Sequence, residues 1–320
     1  MAHLIDLSNG RANMAYVGET PWHGLGQALT DGASLDQWRV EAGLDWEAKR
    51  NALYYRDAEK VVRKSEKEVL YRSDTGDELG IVSPSYKIVQ PEEVVEFFRD
   101  LTDLHGFKME TAGSLDGGRK AWALARTEGA FRLMGQDSVK AYVLLATSFD
   151  GTLATRAQFT SVRVVCNNTL QIGLKSGSGL AIPHSTGFDA TKVKVELGLL
   201  ESAFSEFQRE AEVLAQRKVG KQDAVNFLLD LLADGERDVN KLTARTAKKV
   251  QDVYQLFAGG GYGSQFEAAN GTAWGLLNAV TQYVDHTLGH SVNNRFKSAQ
   301  FGAGAELKTV AFAQALKLAA

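Results

Sequence analysis

The chain has 320 residues, of which 44% are apolar and 23% charged, and its net charge is −3. This is ordinary globular usage on a chain long enough to bury a sizeable core; it excludes wholesale disorder and a uniformly basic nucleic-acid binder. A lone cysteine, Cys166, excludes an intramolecular disulfide and a multi-cysteine zinc site, and it fits a reducing compartment.

Met1–Gly18 show no cationic segment leading into a long apolar one, so no signal peptide is expected. No run approaches the roughly 18 to 20 apolar residues of a membrane span. A bacterial host cytoplasm is the expected location, with no membrane partner. The charge is uneven. Residues 1–110 balance to −7, residues 111–190 to +3 and residues 191–320 to +1. The middle segment is therefore the expected place for an anionic partner.

In chain order, Ala52–Tyr55, Lys60–Arg63 and Glu68–Arg72 read as short β runs ending at the turn Asp74-Thr75-Gly76-Asp77, after which Gly80–Val82 resumes a strand. Pro91-Glu92-Glu93 opens a helix, because proline suits the first turn and the acids suit its positive end. Val94, Val95, Phe97, Phe98 and Leu101 supply the buried stripe of that helix. Three strands follow at Phe107–Leu115, Arg119–Arg126 and Val139–Thr147, with Asp116-Gly117-Gly118 turning the first into the second. Asp150-Gly151 leads into a long strand, Leu153–Val165. Asn167-Asn168-Thr169 is read as the cap of a short helix to Leu174, before a glycine-serine loop over Ser176–Gly179.

From about residue 190 the apolar spacing becomes helical. Helices are expected at Lys192–Gln216, Lys221–Leu232, Asn240–Phe257, Thr272–Leu288 and Glu306–Leu316, broken at Asp234-Gly235 and Gly259-Gly260-Gly261. The expected fold class is α+β: an antiparallel β-meander with a crossing helix in residues 1–190, then a helical domain or extension over 191–320.

Catalytic signatures are missing from this pattern. Pro21-Trp22-His23-Gly24-Leu25-Gly26 reads as a structured turn, since His23 has no acid or second histidine at ligand spacing. Cys166 lacks the surroundings of a cysteine nucleophile, and a buried thiol is the simpler reading. His286 and His290 are four apart, but Gly289 interrupts the helix and no Glu follows His286. Gly259–Gly263 is glycine-rich without the Lys-Ser/Thr of a phosphate loop. No metal and no cofactor are expected.

Binding chemistry has better candidates. Arg119, Lys120 and Trp122 follow a glycine turn, and strand periodicity puts Lys120 and Trp122 on one face. A cation beside an aromatic suits a backbone phosphate next to a stacked base. Period two also sends Arg156, Gln158, Thr160 and Val162 to one face and Arg163 to the other. Arg156 is read as an exposed anion contact, and Arg163 as either internal or a phosphate contact. Asn167 and Asn168 are caps or amide donors to a base or phosphate.

The order Pro21–Gly26, Tyr86-Lys87-Ile88-Val89-Gln90, Gly113–Trp122, Ser148-Phe149-Asp150-Gly151, Val162–Leu170 and Gly271-Thr272-Ala273-Trp274 resembles a phage/plasmid-like family of unknown function from actinobacterial phages and plasmids. The resemblance spans about residues 15–312 and implies a mobile-element context, not a biochemistry. In pattern alone, the chain is also similar to phage single-strand annealing proteins of the RecT, Redβ and Erf sort. That second resemblance implies a β-meander with a crossing helix beside a basic groove, assembled into rings or filaments.

The expectation is a non-enzymatic, oligomeric single-stranded DNA binding or annealing protein, a homo-oligomer of ring or filament type. Its DNA contacts would come from Arg119, Lys120, Trp122, Arg156, Arg163, Asn167 and Asn168. The alternatives are a metal-dependent nucleic-acid or nucleotide enzyme using Asp150, His184, Asp285 or His286, and a structural or anti-defence protein that binds a host protein.

Overall fold

A computed structural model describes residues 5–18, 24–163, 168–171, 179–198, 201–289, 295, 298–299 and 302–320. The fold is α+β. The large sheet runs through β6 (Lys108–Leu115), β7 (Lys120–Leu133), β8 (Asp137–Ser148), β9 (Thr155–Arg163) and β10 (Asn168–Gln171), each antiparallel to the one before. On the other side of β6 lies β1 (Met14–Val17), antiparallel to it, and then β2 (Gln27–Leu29), parallel to β1. β11 (Leu180–Ile182) pairs with the first part of β9, so β10 and β11 share its outer edge.

The meander forms where the sequence alternates apolar residues between turn signals. Asp116, Gly117 and Gly118 all have positive φ (58°, 67° and 87°), the backbone a tight reversal between β6 and β7 demands. A second sheet is built from β3 (Ala48–Arg56), β4 (Val62–Arg72) and β5 (Glu78–Val82). The two short runs expected at 60–63 and 68–72 are one strand, because β3 supplies a ladder along nearly the whole of β4.

The helix opening at Pro91 closes early. α2 (Pro91–Glu96) and α3 (Arg99–His105) are separate helices, and α2 lies across β7 and β8. Its cap also stitches the two sheets. The Gln90 amide accepts from Ala48 N–H at 2.9 Å and donates to Ala48 C=O at 3.1 Å, imitating a strand neighbour. Ahead of them, α1 (Leu35–Glu41) starts at a Ser34/Gln37 capping box.

The second half contains α4 (Ala190–Gly198), α5 (Glu201–Gln216), α6 (Lys221–Leu232), α7 (Ala244–Gln255), α8 (Ala273–Gln282) and α9 (Ala303–Ala319). The described residues of the helix expected over 192–216 are helical on both sides of residues 199–200, which lie outside the described residues, and the helix expected over 240–257 begins later, at its Thr243 cap. The capped helix expected from Asn167 is not found, because Asn168–Gln171 extend the open edge of β9 as β10. Asn167 itself lies outside the described residues.

One hydrophobic cluster runs through both halves of the chain. Its faces are the helix-covered side of the sheet (Ala121, Ala123, Val143, Leu145, Ala157, Phe159) and the inner sides of α2, α5 and α8. Phe131 of β7, Phe204 and Phe207 of α5, Trp274 of α8 and Phe312 of α9 meet ring to ring, with centroids 5.4–6.4 Å apart. Trp274 also donates its indole N–H to Asp137 at 2.9 Å, tying α8 to the start of β8. Gly275 beside it is obligatory: a Cβ there would sit 1.8 Å from the Ala269 carbonyl oxygen. Among the described residues, no helix is long and apolar enough to cross a membrane.

Candidate nucleic-acid interface

The arm formed by β3 and β4 is rich in open cations. Residues 48–72 hold eight Lys/Arg against four Asp/Glu. β5 covers only the base of this hairpin, pairing with Glu68–Tyr71, so the outer part is a two-stranded ribbon with both faces in solvent. At its tip, Asp57 accepts hydrogen bonds from the Glu59 and Val61 N–H groups and from Arg63 Nε, which fixes the turn. Arg63 is thereby neutralised.

Tyr54 and Tyr55 are 58% and 53% exposed, and Val61 and Val62 are exposed as well. Tyr54 stands opposite Lys64, and Arg56 opposite Val62, so one face of the ribbon presents Tyr54, Arg56, Val62 and Lys64. Arg56, Lys60, Lys64 and Lys67 form no ion pair among the described residues, whereas Arg50 is held by Glu68 at 2.8 Å. An isolated two-stranded ribbon gains little stability from exposed tyrosines, so this apolar and cationic surface points to a contact role.

Two of the seven residues read from the sequence do not fit a surface contact. Lys120 is buried, and its ammonium lies 2.8 Å from the Asp150 carboxylate. Burial would raise Asp150, but hydrogen bonds from Lys120 and Thr152 outweigh it and hold the carboxyl below its ordinary range. A charge so committed is not offered to a phosphate. Trp122 is also buried, on the same sheet face, as strand periodicity requires.

Arg119 is exposed at the β6–β7 turn. Its Nε donates to the Leu79 carbonyl of β5 at 3.2 Å, which places it beside the base of the arm. Arg156 is half-buried on β9, opposite Ala146. Arg163 pairs in register with Val139 and with Asn168 of β10, and Asn167 is outside the described residues. Among the described side chains, Arg119, Lys120, Trp122 and Arg156 therefore do not share one exposed surface. The arm was missed because the surrounding acidic segment, at −7 overall, hides a locally basic hairpin.

The residues considered for catalysis are engaged elsewhere. His184 stacks on Tyr86 and points its two ring nitrogens at the Lys87 and Leu153 carbonyls, 2.8 and 3.1 Å away. Asp285 binds Lys308 at 2.7 Å, and His286 packs edge-on against Tyr262. Among the described residues there is no group of three His, Cys, Asp or Glu that could hold a metal. His23, Cys166 and His290 lie outside the described residues. A groove of about 490 Å³ between α1, α3 and the β1–β2 edge holds Arg99 and Lys108, both ion-paired, to Glu96 and Asp31.

The motifs that carry the resemblance to a family of unknown function are mostly architectural. Tyr86 donates to the Ser148 carbonyl at 2.6 Å, and burial pushes its phenol up to about 12. Phe149 packs edge-on against Trp46, and Thr272 caps α8 by accepting from Gly275 N–H. No match was found among curated proteins or among solved structures. The model of the family described as a domain of unknown function, DUF932, matches residues 78–303, and the chain belongs to that family.

Proposed function

We propose that the protein binds single-stranded DNA along the β3–β4 arm and its base, as a homo-oligomer that brings strands together without covalent chemistry. The observation that carries this reading is the exposed Tyr54 set between Arg56 and Lys64, two cations with no ion pair among the described residues. A base stacks on the ring while its phosphates meet the flanking cations, with Arg119 available at the base of the arm. A metal-dependent enzyme is less well supported, since Asp150, His184, Asp285 and His286 are each engaged by other groups of the protein.

The test is a titration of labelled oligo-dT and of duplex DNA at two salt concentrations. Each stacked base is worth about 1–3 kcal/mol, so the double variant Tyr54→Ala/Tyr55→Ala is expected to weaken single-strand binding at least tenfold without lowering Tm. Three phosphate contacts give a logarithmic salt slope of about −2, and Arg56→Ala removes about 0.7 of it. Rings or filaments on DNA by electron microscopy are the expected assembly. Equal affinity for duplex, or arm variants that bind like the wild type, would refute the proposal.

A further inference from the structure

The β3–β4 arm has a second face, opposite the one that carries Tyr54, Arg56, Val62 and Lys64. Tyr55 pairs with Arg63, and the Asp57 N–H donates to the Val61 carbonyl at 3.1 Å, which carries the ladder on to the tip. Tyr55, Arg63 and Val61 therefore share this face. Tyr55 is 53% exposed and Val61 48%. Exposed apolar side chains on a free ribbon add little to its stability and mark a contact surface. Beside Val61, Lys60 holds a left-handed backbone with φ 64°. Asparagine or glycine takes that conformation at less cost, so the lysine stands there against local preference.

The groove between α1, α3 and the β1–β2 edge has the complementary character. Its volume is about 490 Å³, and Val17, Leu35, Trp38, Phe107 and Met109 give it an apolar lining. Its surroundings are acidic. Residues 31–41 and 91–105, which contain α1, α2 and α3, hold eight Asp/Glu against two Lys/Arg. Both of those cations are paired, Arg39 with Glu92 at 3.6 Å and Arg99 with Glu96 at 2.6 Å. The hydrogen bond to Glu96 holds Arg99 above its ordinary value, and Asp103 and Asp36 add to the shift, so three acids converge beside the groove. Asp36 and Asp103 form no ion pair among the described residues.

Tyr55 and Val61 are exposed, so the arm is not folded into the groove of its own chain. The stretch from Ala52 to Asp57 is about 17 Å long at the rise of a β-strand, enough to reach a neighbouring molecule. The arm is basic by eight to four and the groove face acidic by eight to two. Arm against arm would set cations together, and groove against groove would set acids together. Arm against groove joins opposite charges.

We propose that the arm of one protomer docks by its Tyr55 face in the α1–α3 groove of a second copy of the chain, with Tyr55 and Val61 against the apolar lining and Lys60 between Asp36 and Asp103. The contact is heterologous, so its repetition closes a ring or extends a filament. A contact of this size is weak and depends on concentration. The inference rests on the reading of the protein as a homo-oligomer and names the surfaces that join, while the Tyr54 face stays open to a strand.

The experiment is sedimentation velocity of the full chain without DNA, over a wide range of protein concentration and at two salt concentrations. The wild type is expected to associate beyond the monomer, and less at high salt. Lys60→Asp keeps a residue that accepts the left-handed turn, and it is expected to raise the dissociation constant at least about tenfold. Asp103→Lys is expected to do the same. Mixing the two single variants restores association to within about threefold of the wild type, because each supplies the groove that the arm of the other requires. Should Asp103→Lys misfold, Asp36→Lys takes its place.

A wild type that stays monomeric at every concentration, single variants that associate like the wild type, or no recovery on mixing overturns the inference. An oligo-dT titration of the same samples separates it from the DNA reading. Association without strand binding leaves only the contact between arm and groove standing, and strand binding by a chain that does not associate leaves only the Tyr54 face.

Discussion

Replacing Lys120 by Met separates an internal ion pair from a DNA contact. The Lys120 and Asp150 side chains are 5% and 13% exposed and meet at 2.8 Å. Removing one member of a buried pair costs about 3–5 kcal/mol, because the other charge is left without compensation. Asp150 keeps two bonds from Thr152, from its N–H at 2.9 Å and its hydroxyl at 2.6 Å, so the low end, about 3 kcal/mol, is expected. Adding Asp150→Asn removes the stranded charge and should recover most of that loss, giving a coupling that a double-mutant cycle reads directly.

The pH dependence has a definite sign. Asp150 is held below its ordinary 3.8, so its stabilisation is complete above that value and is lost as pH falls through the lower, folded-state value. In Lys120→Met burial acts with less opposition, so the folded-state value rises and the acid-dependent loss attributable to Asp150 shrinks. Urea denaturation followed by far-UV circular dichroism measures the stability, and an oligo-dT titration of the same samples measures binding. A Lys120→Met variant with unchanged urea midpoint and weakened DNA binding would show that Lys120 is a phosphate contact and that the reasoning is wrong.

Gly275→Ala sets a methyl group 1.8 Å from the Ala269 oxygen, so α8 has to shift; a loss of about 3 kcal/mol or more in urea is expected, and a near-neutral effect would show that this backbone approach is not tight. Asp6 is nearly fully buried and bonds Arg72 at 2.5 Å. Burial raises it, but bonds from Ser8, Asn13 and Arg72 leave it below 3.8, so Asp6→Asn should cost about 3 kcal/mol at neutral pH and much less in acid. A penalty for Asp6→Asn that stays constant from neutral pH to about pH 2 would contradict that assignment.

Part of this architecture is legible from local pattern. Lys221–Leu232 is a helix with the bounds its apolar spacing predicts, and Phe107–Leu115 differs from β6 by one residue. Asp116-Gly117-Gly118 turns the chain where its composition requires a left-handed backbone. Asn168–Gln171 shows the limit. The asparagines are good caps, but the open edge of β9 offers a ladder of hydrogen bonds that no local rule registers. The candidate sites divide in the same way. Strand periodicity put Arg156 and Gln158 on one face, yet only the register of β7, β8 and β9 brings Trp122 beside them.

The sequence by itself determined the α+β class, the meander and the change to helices near residue 190, because periodicity and turn chemistry are properties of neighbouring residues. The tertiary structure decided which charges are available. Lys120 and Arg119 are adjacent in sequence, but one faces Asp150 in the interior and the other is exposed beside β5. Burial and ion pairing depend on residues brought together across the fold: Asp150 lies thirty positions from Lys120, and Leu79 forty from Arg119.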